Sequence, residues 1–211
     1  MQKKIIRYII FIAVILFVAY NSVYFKKLDE VNAASAAKQF DAPAYARNFL
    51  DKKLLPNLDK AIEINRLLSL VETTPDNAFK TYSHALGIGN VRYFLVQGEG
   101  TITAIDENDV TLSVQTDTSN HSIKLATEFV YGNAVRDASG LIDINEFNST
   151  MDFNNISAET NKIIRAEVLP PFKANAKLGN KVRFYGALEL NQAHINLENI
   201  EVIPIRLAIV K

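Results

Sequence analysis

Alternation of apolar and polar residues dominates the chain after Gly89 and restricts its possible folds more than any other feature. Because successive side chains of a strand point to opposite faces, each alternating segment predicts a strand with one buried face. The apolar phase slips at 198–200, which predicts a bulge in the last strand. The five predicted strands lie around residues 93–104, 110–114, 123–125, 181–190 and 195–197.

A single helix-like segment separates the first three strands from the last two. It is predicted at 158–168, with Ser157 as its N-cap and with Pro170 and Pro171 ending it. The first and fourth strands each contain glycine, which allows a strand to bend sharply where a barrel closes. The order β-β-β-α-β-β therefore predicts an OB-like five-stranded barrel at 91–211, in a protein that is mainly β with helices.

The N-terminal sequence has the pattern of a membrane-crossing segment. Lys3, Lys4 and Arg7 precede an apolar run, and residues 5–25 make a segment of 21 residues. A spanning helix needs roughly 20 residues. We therefore expect residues 1–27 to form an uncleaved single-pass transmembrane helix, with the domain facing the periplasm or the cell exterior. The alternative is a cleaved signal peptide, which also begins with basic residues and an apolar centre.

Residues 40–90 have helical rather than alternating patterns. Asp41 is placed to cap a first helix with Pro43 in its first turn, Asn57 to cap a second, and Thr74 to start a third. Each helix has an apolar face, which we expect to pack on the barrel. The predicted helices end at Pro56, Glu72 and Gly87. The predicted parts of the chain are an anchor (1–27), a spacer (28–39), a helical section (40–90) and a barrel domain (91–211).

The composition excludes several classes of function. Lysine plus arginine equals aspartate plus glutamate, 23 each, so no net field attracts a polyanion, and nucleic acid is not an expected partner. The chain has no cysteine, which excludes disulfides, thiolate metal sites, cysteine nucleophiles and a lipid on an N-terminal cysteine.

Catalytic motifs are also missing from the sequence. No GxSxG elbow and no GxGxxG or GxxxxGK[ST] loop occurs. His84, His121 and His194 have neither metal-ligand spacing nor a triad partner, and adjacent carboxylates fall in turns or at strand edges. We therefore expect no enzymatic activity, no cofactor and no metal.

The stretch from Val130 to Phe147, between the third strand and the helix, contains the best candidate site. Arg136 beside Asp137 offers planar donors that suit a small anion or a pair of sugar hydroxyls. The predicted ligand-binding residues are Arg136, Asp137 and Tyr131. The alternative for Arg136 and Asp137 is a structural ion pair or a capping role.

Two further patterns suggest ligands. Residues 140–147 match the second half of a calcium-binding EF-hand loop, but Val135 occupies the position of the first carboxylate ligand, so a simple turn is the better interpretation. Four aromatic residues are candidates for a platform on which a sugar stacks, although alternation predicts that at least half of them are core residues. They are Tyr93, Phe94, Phe184 and Tyr185.

Four segments together resemble a bacterial family of unknown function, described as predicted periplasmic lipoproteins that are often encoded beside carbohydrate ABC transporters. The segments are FDAPAYARNFLDKKLLP, YFLVQGEGTITAID, YGNAVRDASGLIDINEF and LGNKVRFYGAL. The resemblance covers residues 40–211 and implies an extracytoplasmic, membrane-tethered accessory with a barrel-like fold and no established activity. Unlike a lipoprotein, this sequence has no cysteine, so the transmembrane helix would replace the lipid.

Two functions from different classes are therefore expected. The first is a non-catalytic, membrane-anchored accessory or binding protein, linked to carbohydrate ABC transport and binding a small sugar. The alternative is a structural or assembly partner of another envelope protein, docking through the helical section. A hydrolase of envelope carbohydrate is disfavoured, because the sequence offers no convergent acid and base pair.

Overall fold

The computed structural model describes residues 2–22, 40–115, 120–147 and 149–210. The chain divides into two compact units, Met1–Phe40 and Asp41–Lys211. The predicted spacer at 28–39 lies outside the described residues.

The first unit contains helix α1 (Gln2–Ser22). Across the described residues, no helix combines the length and the apolarity that a membrane crossing requires. The predicted single-pass anchor at 1–27 is therefore not confirmed.

The second unit begins with a helical section. Its elements are α2 (Ala42–Asn48), a π-helical turn (Phe49–Leu54), a 3-10 helix (Leu55–Lys60), β1 (Ile62–Glu63), α3 (Ile64–Thr73), α4 (Pro75–Tyr82) and β2 (Ser83–His84). Asp41 caps α2 as predicted, because its Oδ1 accepts a hydrogen bond of 2.9 Å from the Ala44 amide. The cap predicted at Asn57 is wrong, since Asn57 lies inside the 3-10 helix and its side-chain Nδ2 donates to the Lys53 carbonyl at 2.7 Å.

The short strands β1 and β2 explain where the later helices begin and end. Ile62 and Glu63 pair in parallel with Val96 and Gln97, so α3 begins only after Glu63. Ser83 and His84 pair with the same long strand, so α4 ends at Tyr82 rather than at Gly87. Pairing to the barrel therefore overrides the helical pattern at both positions.

Five strands of the second unit close into a barrel, as predicted. They are β3 (Val91–Ile105), β4 (Asp109–Gln115), β5 (Asn120–Ala126), β6 (Lys181–Asn191) and β7 (Ile200–Val210). Each strand pairs with the next in the order β3, β4, β5, β7, β6, and β6 pairs with β3 again. All pairs are antiparallel except β5 with β7.

Glycines of the first and fourth barrel strands lie in close contact with neighbouring atoms. A Cβ on Gly98 would lie 2.6 Å from Ile64 Cγ2. A Cβ on Gly186 would lie 2.3 Å from Val202 Cγ1, next to a register shift between β6 and β7. Side chains larger than hydrogen do not fit at these two positions.

The helical stretch between β5 and β6 starts earlier and ends later than predicted. It comprises α5 (Ala134–Ala138), a 3-10 turn (Ile144–Glu146), α6 (Thr150–Ile163), a π-helical turn (Ile164–Val168) and α7 (Leu169–Asn175). The cap is Ser149, whose Oγ accepts from the Asp152 amide at 3.0 Å, whereas Ser157 is buried within α6. Pro170 and Pro171 lie in the first turn of α7, where a missing amide proton costs no helical hydrogen bond.

The predicted last strand and its bulge are also displaced. Residues 192–199 form turns in which Asn191 Oδ1 accepts from the Ala193 amide at 2.9 Å and Asn196 Oδ1 accepts from the Glu198 amide at 2.8 Å. These local hydrogen bonds compete with strand pairing. The strand at 195–197 is therefore wrong, and β7 begins at Ile200.

The helical section and the barrel share one hydrophobic core. Ile64 and Leu67 of α3 are fully buried among barrel residues. The Phe79 ring of α4 lies 5.2 Å from the Phe94 ring of β3 in an edge-on arrangement. The apolar faces of these helices are thus covered by the barrel.

Candidate functional site

The connecting stretch at 130–147 is held on the second unit by tight turns. Gly132 and Gly140 have positive φ angles of 77° and 62°, which side chains other than glycine rarely adopt. A Cβ on Gly140 would also lie 2.5 Å from Cε1 of His84 on β2. The stretch therefore packs directly against the short strand that borders β3.

Arg136 and Asp137 on α5 form a buried ion pair. Each residue is only 3% exposed, and Arg136 Nε donates to Asp137 Oδ1 at 2.6 Å. Arg136 Nη1 donates to the Phe153 carbonyl at 3.0 Å, and its guanidinium carbon lies 3.5 Å from the centre of the Phe153 ring. The structural ion pair, which was the alternative interpretation of these residues, is thus present.

The ion pair leaves hydrogen-bonding capacity unused. Within the described part of the chain, Arg136 Nη2 donates no hydrogen bond and Asp137 Oδ2 accepts none. Neither atom is among the fully buried polar atoms that lack a partner. Both atoms therefore retain a route to a molecule outside the protein core.

A row of aromatic rings fixes Phe153 and, through it, Arg136. The Phe147 ring lies 5.5 Å from Phe153 and 5.3 Å from Tyr45 of α2. The Tyr45 hydroxyl donates to Glu146 Oε2 at 3.3 Å, and burial together with this carboxylate raises the Tyr45 pKa to about 12. Tyr45 of the helical section therefore helps to position the ion pair through its contact with Phe147.

A cavity of about 240 Å³ lies over the ion pair, and we name it the Arg136–Asp137 cavity. Its polar wall is formed by Tyr93, Asn133, Arg136, Asp137, Thr150 and Asn154. Its apolar wall is formed by Ala85, Leu86, Gly87, Ile88, Val91, Ile144 and Phe153. Ile88 and Ile144 are exposed, so the apolar wall continues to the surface.

Tyr93 lines this cavity, whereas the sequence predicts it only as a candidate for a stacking platform. Phe94 and Phe184 of that platform are fully buried in the core, because their side chains point to the opposite face of the strands. Burial raises the Tyr93 pKa, and the carboxylates of Glu189 and Asp137 raise it further while Arg136 lowers it. The signal that identifies Tyr93 is its strand register opposite Glu189, which the sequence alone does not give.

Tyr131 is separated from the other two predicted site residues. It is 61% exposed and borders a different, more open groove of about 490 Å³, also lined by Phe129, Glu189 and Glu201. Arg165 covers its ring at 4.8 Å. The structure therefore brings Arg136 and Asp137 together at one cavity and Tyr131 to another, with Asn133 lining both.

The electrostatic character of the Tyr131 groove is acidic. Burial raises the pKa of Glu201, and the nearby carboxylates of Asp109 and Glu189 raise it further, while Lys124 lowers it. Lys124 itself is paired with Asp109 at 3.1 Å.

The remaining candidate ligands of the sequence are used within the protein. Asp143 Oδ1 accepts from the Asn145 amide at 2.9 Å, and Glu146 accepts from Tyr45, so the calcium-like sequence forms a capped 3-10 turn. His121 Nε2 lies 3.4 Å from Glu72 Oε1. No group of three or more His, Asp or Glu residues in the described ranges is arranged to hold a metal ion.

Comparison with known proteins identifies a family and similar solved structures. A family model described as "Predicted periplasmic lipoprotein (DUF2291)" matches residues 13–208. The chain is also similar to the crystal structure of an OB-fold protein from Thermotoga maritima, at 28% identity and a TM-score of 0.72 over 82% of this chain and 100% of that one. No curated protein sequence matches significantly.

Proposed function

Because the chain belongs to a family described as predicted periplasmic lipoproteins, we propose that it is a non-catalytic extracytoplasmic accessory protein that binds a small solute in the Arg136–Asp137 cavity. The single observation that carries the binding proposal is the combination of two almost fully buried charged residues with unused hydrogen-bonding atoms beside a cavity. Burying charged groups costs several kcal/mol per ion unless they are well paired. A ligand that uses Nη2 and Oδ2 would complete their hydrogen bonding.

The chemistry of the cavity supports binding rather than catalysis. Of its described lining residues, none is a histidine or a serine, and Arg136 and Asp137 are committed to each other. A general acid or base must reach the proton that it transfers within hydrogen-bonding distance. Asp137 Oδ1 is already engaged as the acceptor of the Arg136 Nε hydrogen bond.

The partner proposed for this accessory is a carbohydrate ABC transporter in the cytoplasmic membrane. The sequence resemblance, which implies a transporter context, supports this link, as does a cavity that has both a polar and an apolar wall. Lys3, Lys4 and Arg7, which precede an apolar run, support delivery of the chain to the envelope.

The alternative function, docking of another envelope protein on the helical section, has weaker support. The apolar faces of α3 and α4 are buried in the shared core. A groove of about 340 Å³ does border α2, but the ion pair between Arg47 and Glu167 joins residues on its two sides. The described residues of α3 and α4 therefore present no large apolar patch of the kind that marks a partner surface.

Thermal denaturation of the purified full chain with a panel of sugars tests the proposal. A ligand at 100 times its Kd stabilises the folded state by about 2.7 kcal/mol, which raises the melting temperature by several degrees. We expect this shift with at least one sugar and a smaller shift in the Tyr93→Phe variant, with Tyr185→Phe as the matched control outside the cavity. Failure of every sugar to shift the melting temperature, together with co-purification of a membrane protein, would favour the assembly function instead.

A further inference from the structure

We propose that the Arg136–Asp137 cavity selects an uncharged polyol of the size of one sugar ring and rejects anions, although an arginine lies in its wall. This inference rests on the proposed function, because it names the class of solute that the same cavity binds. A buried arginine at a cavity ordinarily indicates a carboxylate or phosphate ligand. The surroundings of Arg136 lead to the opposite conclusion.

The charges around Arg136 are balanced. The positive charge of Arg136 is matched by Asp137 at 2.6 Å, so the pair presents no net charge to a ligand. Glu189 is close enough to Tyr93 to raise its pKa, and this effect and that of Asp137 act against the lowering by Arg136. An anion entering the cavity would meet a neutral pair and a nearby carboxylate, and it would lose its hydration shell without gaining a free cation.

The ion pair offers a ligand one hydrogen-bond donor and one hydrogen-bond acceptor. Arg136 Nη2 has only protons to donate, whereas an ionised Asp137 Oδ2 only accepts, and both lack a partner in the described residues. A hydroxyl group both donates and accepts, so two adjacent hydroxyls satisfy both atoms at once. A carboxylate only accepts and leaves Asp137 without a donor, and an ammonium only donates and leaves Arg136 without an acceptor.

The volume and the walls of the cavity also match a single sugar ring. The cavity of about 240 Å³ is below the range of roughly 300–1,000 Å³ that is typical of pockets for drug-sized ligands, so it fits one ring rather than an oligosaccharide. Val91, Ile88 and Ile144 form an apolar wall beside the polar one. A sugar ring likewise has a polar part and an apolar part, with hydroxyls at its edge and C–H groups on its face.

The experiment is isothermal titration of the purified full chain with matched pairs of ligands. Glucose is compared with glucuronate, galactose with galacturonate, and glucosamine serves as the cationic probe. We expect at least one neutral sugar to bind about tenfold or more tightly than its uronate, which is the difference that one lost hydrogen bond to a charged group produces. The same sugar should bind more tightly than glucosamine.

Variants of the cavity wall extend the test. Asp137→Asn removes the negative charge at nearly constant side-chain volume. It should reduce the ratio of the affinity for the neutral sugar to the affinity for its uronate. Tyr93→Phe leaves the ion pair intact and should weaken binding of the neutral sugar severalfold. It replaces Asp137→Asn as the test variant if Asp137→Asn does not fold. Tyr185→Phe, outside the cavity, should leave both affinities unchanged.

The outcomes separate the inference from the proposed function. Equal or tighter binding of a uronate to the wild-type chain would overturn the inference while leaving a solute-binding function in place. Absence of binding by every neutral, acidic and cationic sugar would overturn the proposed function itself. Binding of a neutral sugar that neither cavity variant affects would place the ligand elsewhere and overturn the inference.

Discussion

The side chains of Arg136 and Asp137 form one buried ion pair in the wall of a cavity. Their ion pair is buried and Phe153 covers the guanidinium group, so the pair is fixed in position before any ligand arrives. Such a pair contributes little net stability relative to an apolar replacement, but loss of one member is costly.

Replacement of Asp137 by alanine should destabilise the protein strongly. The substitution leaves the Arg136 charge buried with one backbone carbonyl as its remaining partner, and we expect a loss of about 3–5 kcal/mol in the free energy of unfolding. Urea denaturation followed by circular dichroism measures it. Glu128→Ala breaks an exposed ion pair with Lys173 and should cost at most about 1 kcal/mol, so equal losses in the two variants would contradict the account.

Gly140 should not tolerate alanine, for two separable reasons. Its φ of 62° costs an L-residue about 1–2 kcal/mol, and the added Cβ would lie 2.5 Å from the His84 ring. Gly140→Ala should therefore lower stability, and His84→Ala in the same chain should restore the part due to the clash. Gly87→Ala, which meets no atom within 4 Å, is the control. A Gly140→Ala variant as stable as this control would show that the turn differs from the one described.

Among the secondary-structure elements, α6 shows most clearly what a sequence pattern misses. The sequence predicts Ser157 as the N-cap, and the proline pair gives an apparent end at 170. Which residue caps the helix depends on which backbone amides need a partner. Only the folded chain shows that Ser149 satisfies the Asp152 amide and that the prolines begin α7.

The two serines provide a matched test of the start of α6. Ser149→Ala removes the cap and should cost about 1 kcal/mol. Ser157→Ala removes a buried hydroxyl that has no hydrogen-bond partner among the described residues, so it should be neutral or stabilising. Thermal denaturation of both variants gives the comparison. The reverse order of effects would mean that the helix starts at the position that the sequence suggested.

The strands were predicted more accurately than the helices, for physical reasons. Alternation reports burial on one face directly, and glycine in β3 and β6 marks close contacts such as that between Gly186 and Val202. Residues 192–199, by contrast, alternate in apolar character but satisfy their amides through Asn191 and Asn196. Side-chain to backbone hydrogen bonds of this kind are not visible in a hydropathy pattern.

For the whole molecule, the site could be predicted only in part. Arg136 and Asp137 are identifiable because the planar donors of arginine beside a carboxylate suit a small polar ligand. Tyr93 and the apolar wall around Ile88 come from distant parts of the chain, and strand register brings them to the cavity. Tyr131 lies close in sequence but borders another groove, because Gly132 turns the chain between the two sites.

Global stability should fall at high pH because of Tyr45. Its folded pKa is raised to about 12 from an ordinary value of 10.0, so the folded state holds this proton more tightly than the unfolded state. The resulting stabilisation is complete below pH 10 and is lost as the pH rises through about 12. Denaturant midpoints between pH 9 and 11 should decline less steeply in Tyr45→Phe than in the wild-type chain. Identical slopes would show that the Tyr45 environment does not favour the protonated form.

The central claim is that the Arg136–Asp137 cavity binds a small neutral solute, and a crystal structure of the full chain grown with the tightest-binding neutral sugar tests it most directly. The account predicts ring-shaped density in this cavity, with two hydroxyls about 3 Å from Arg136 Nη2 and Asp137 Oδ2. Density for the sugar in the groove beside Tyr131, or anywhere else while this cavity stays free of it, would contradict the claim.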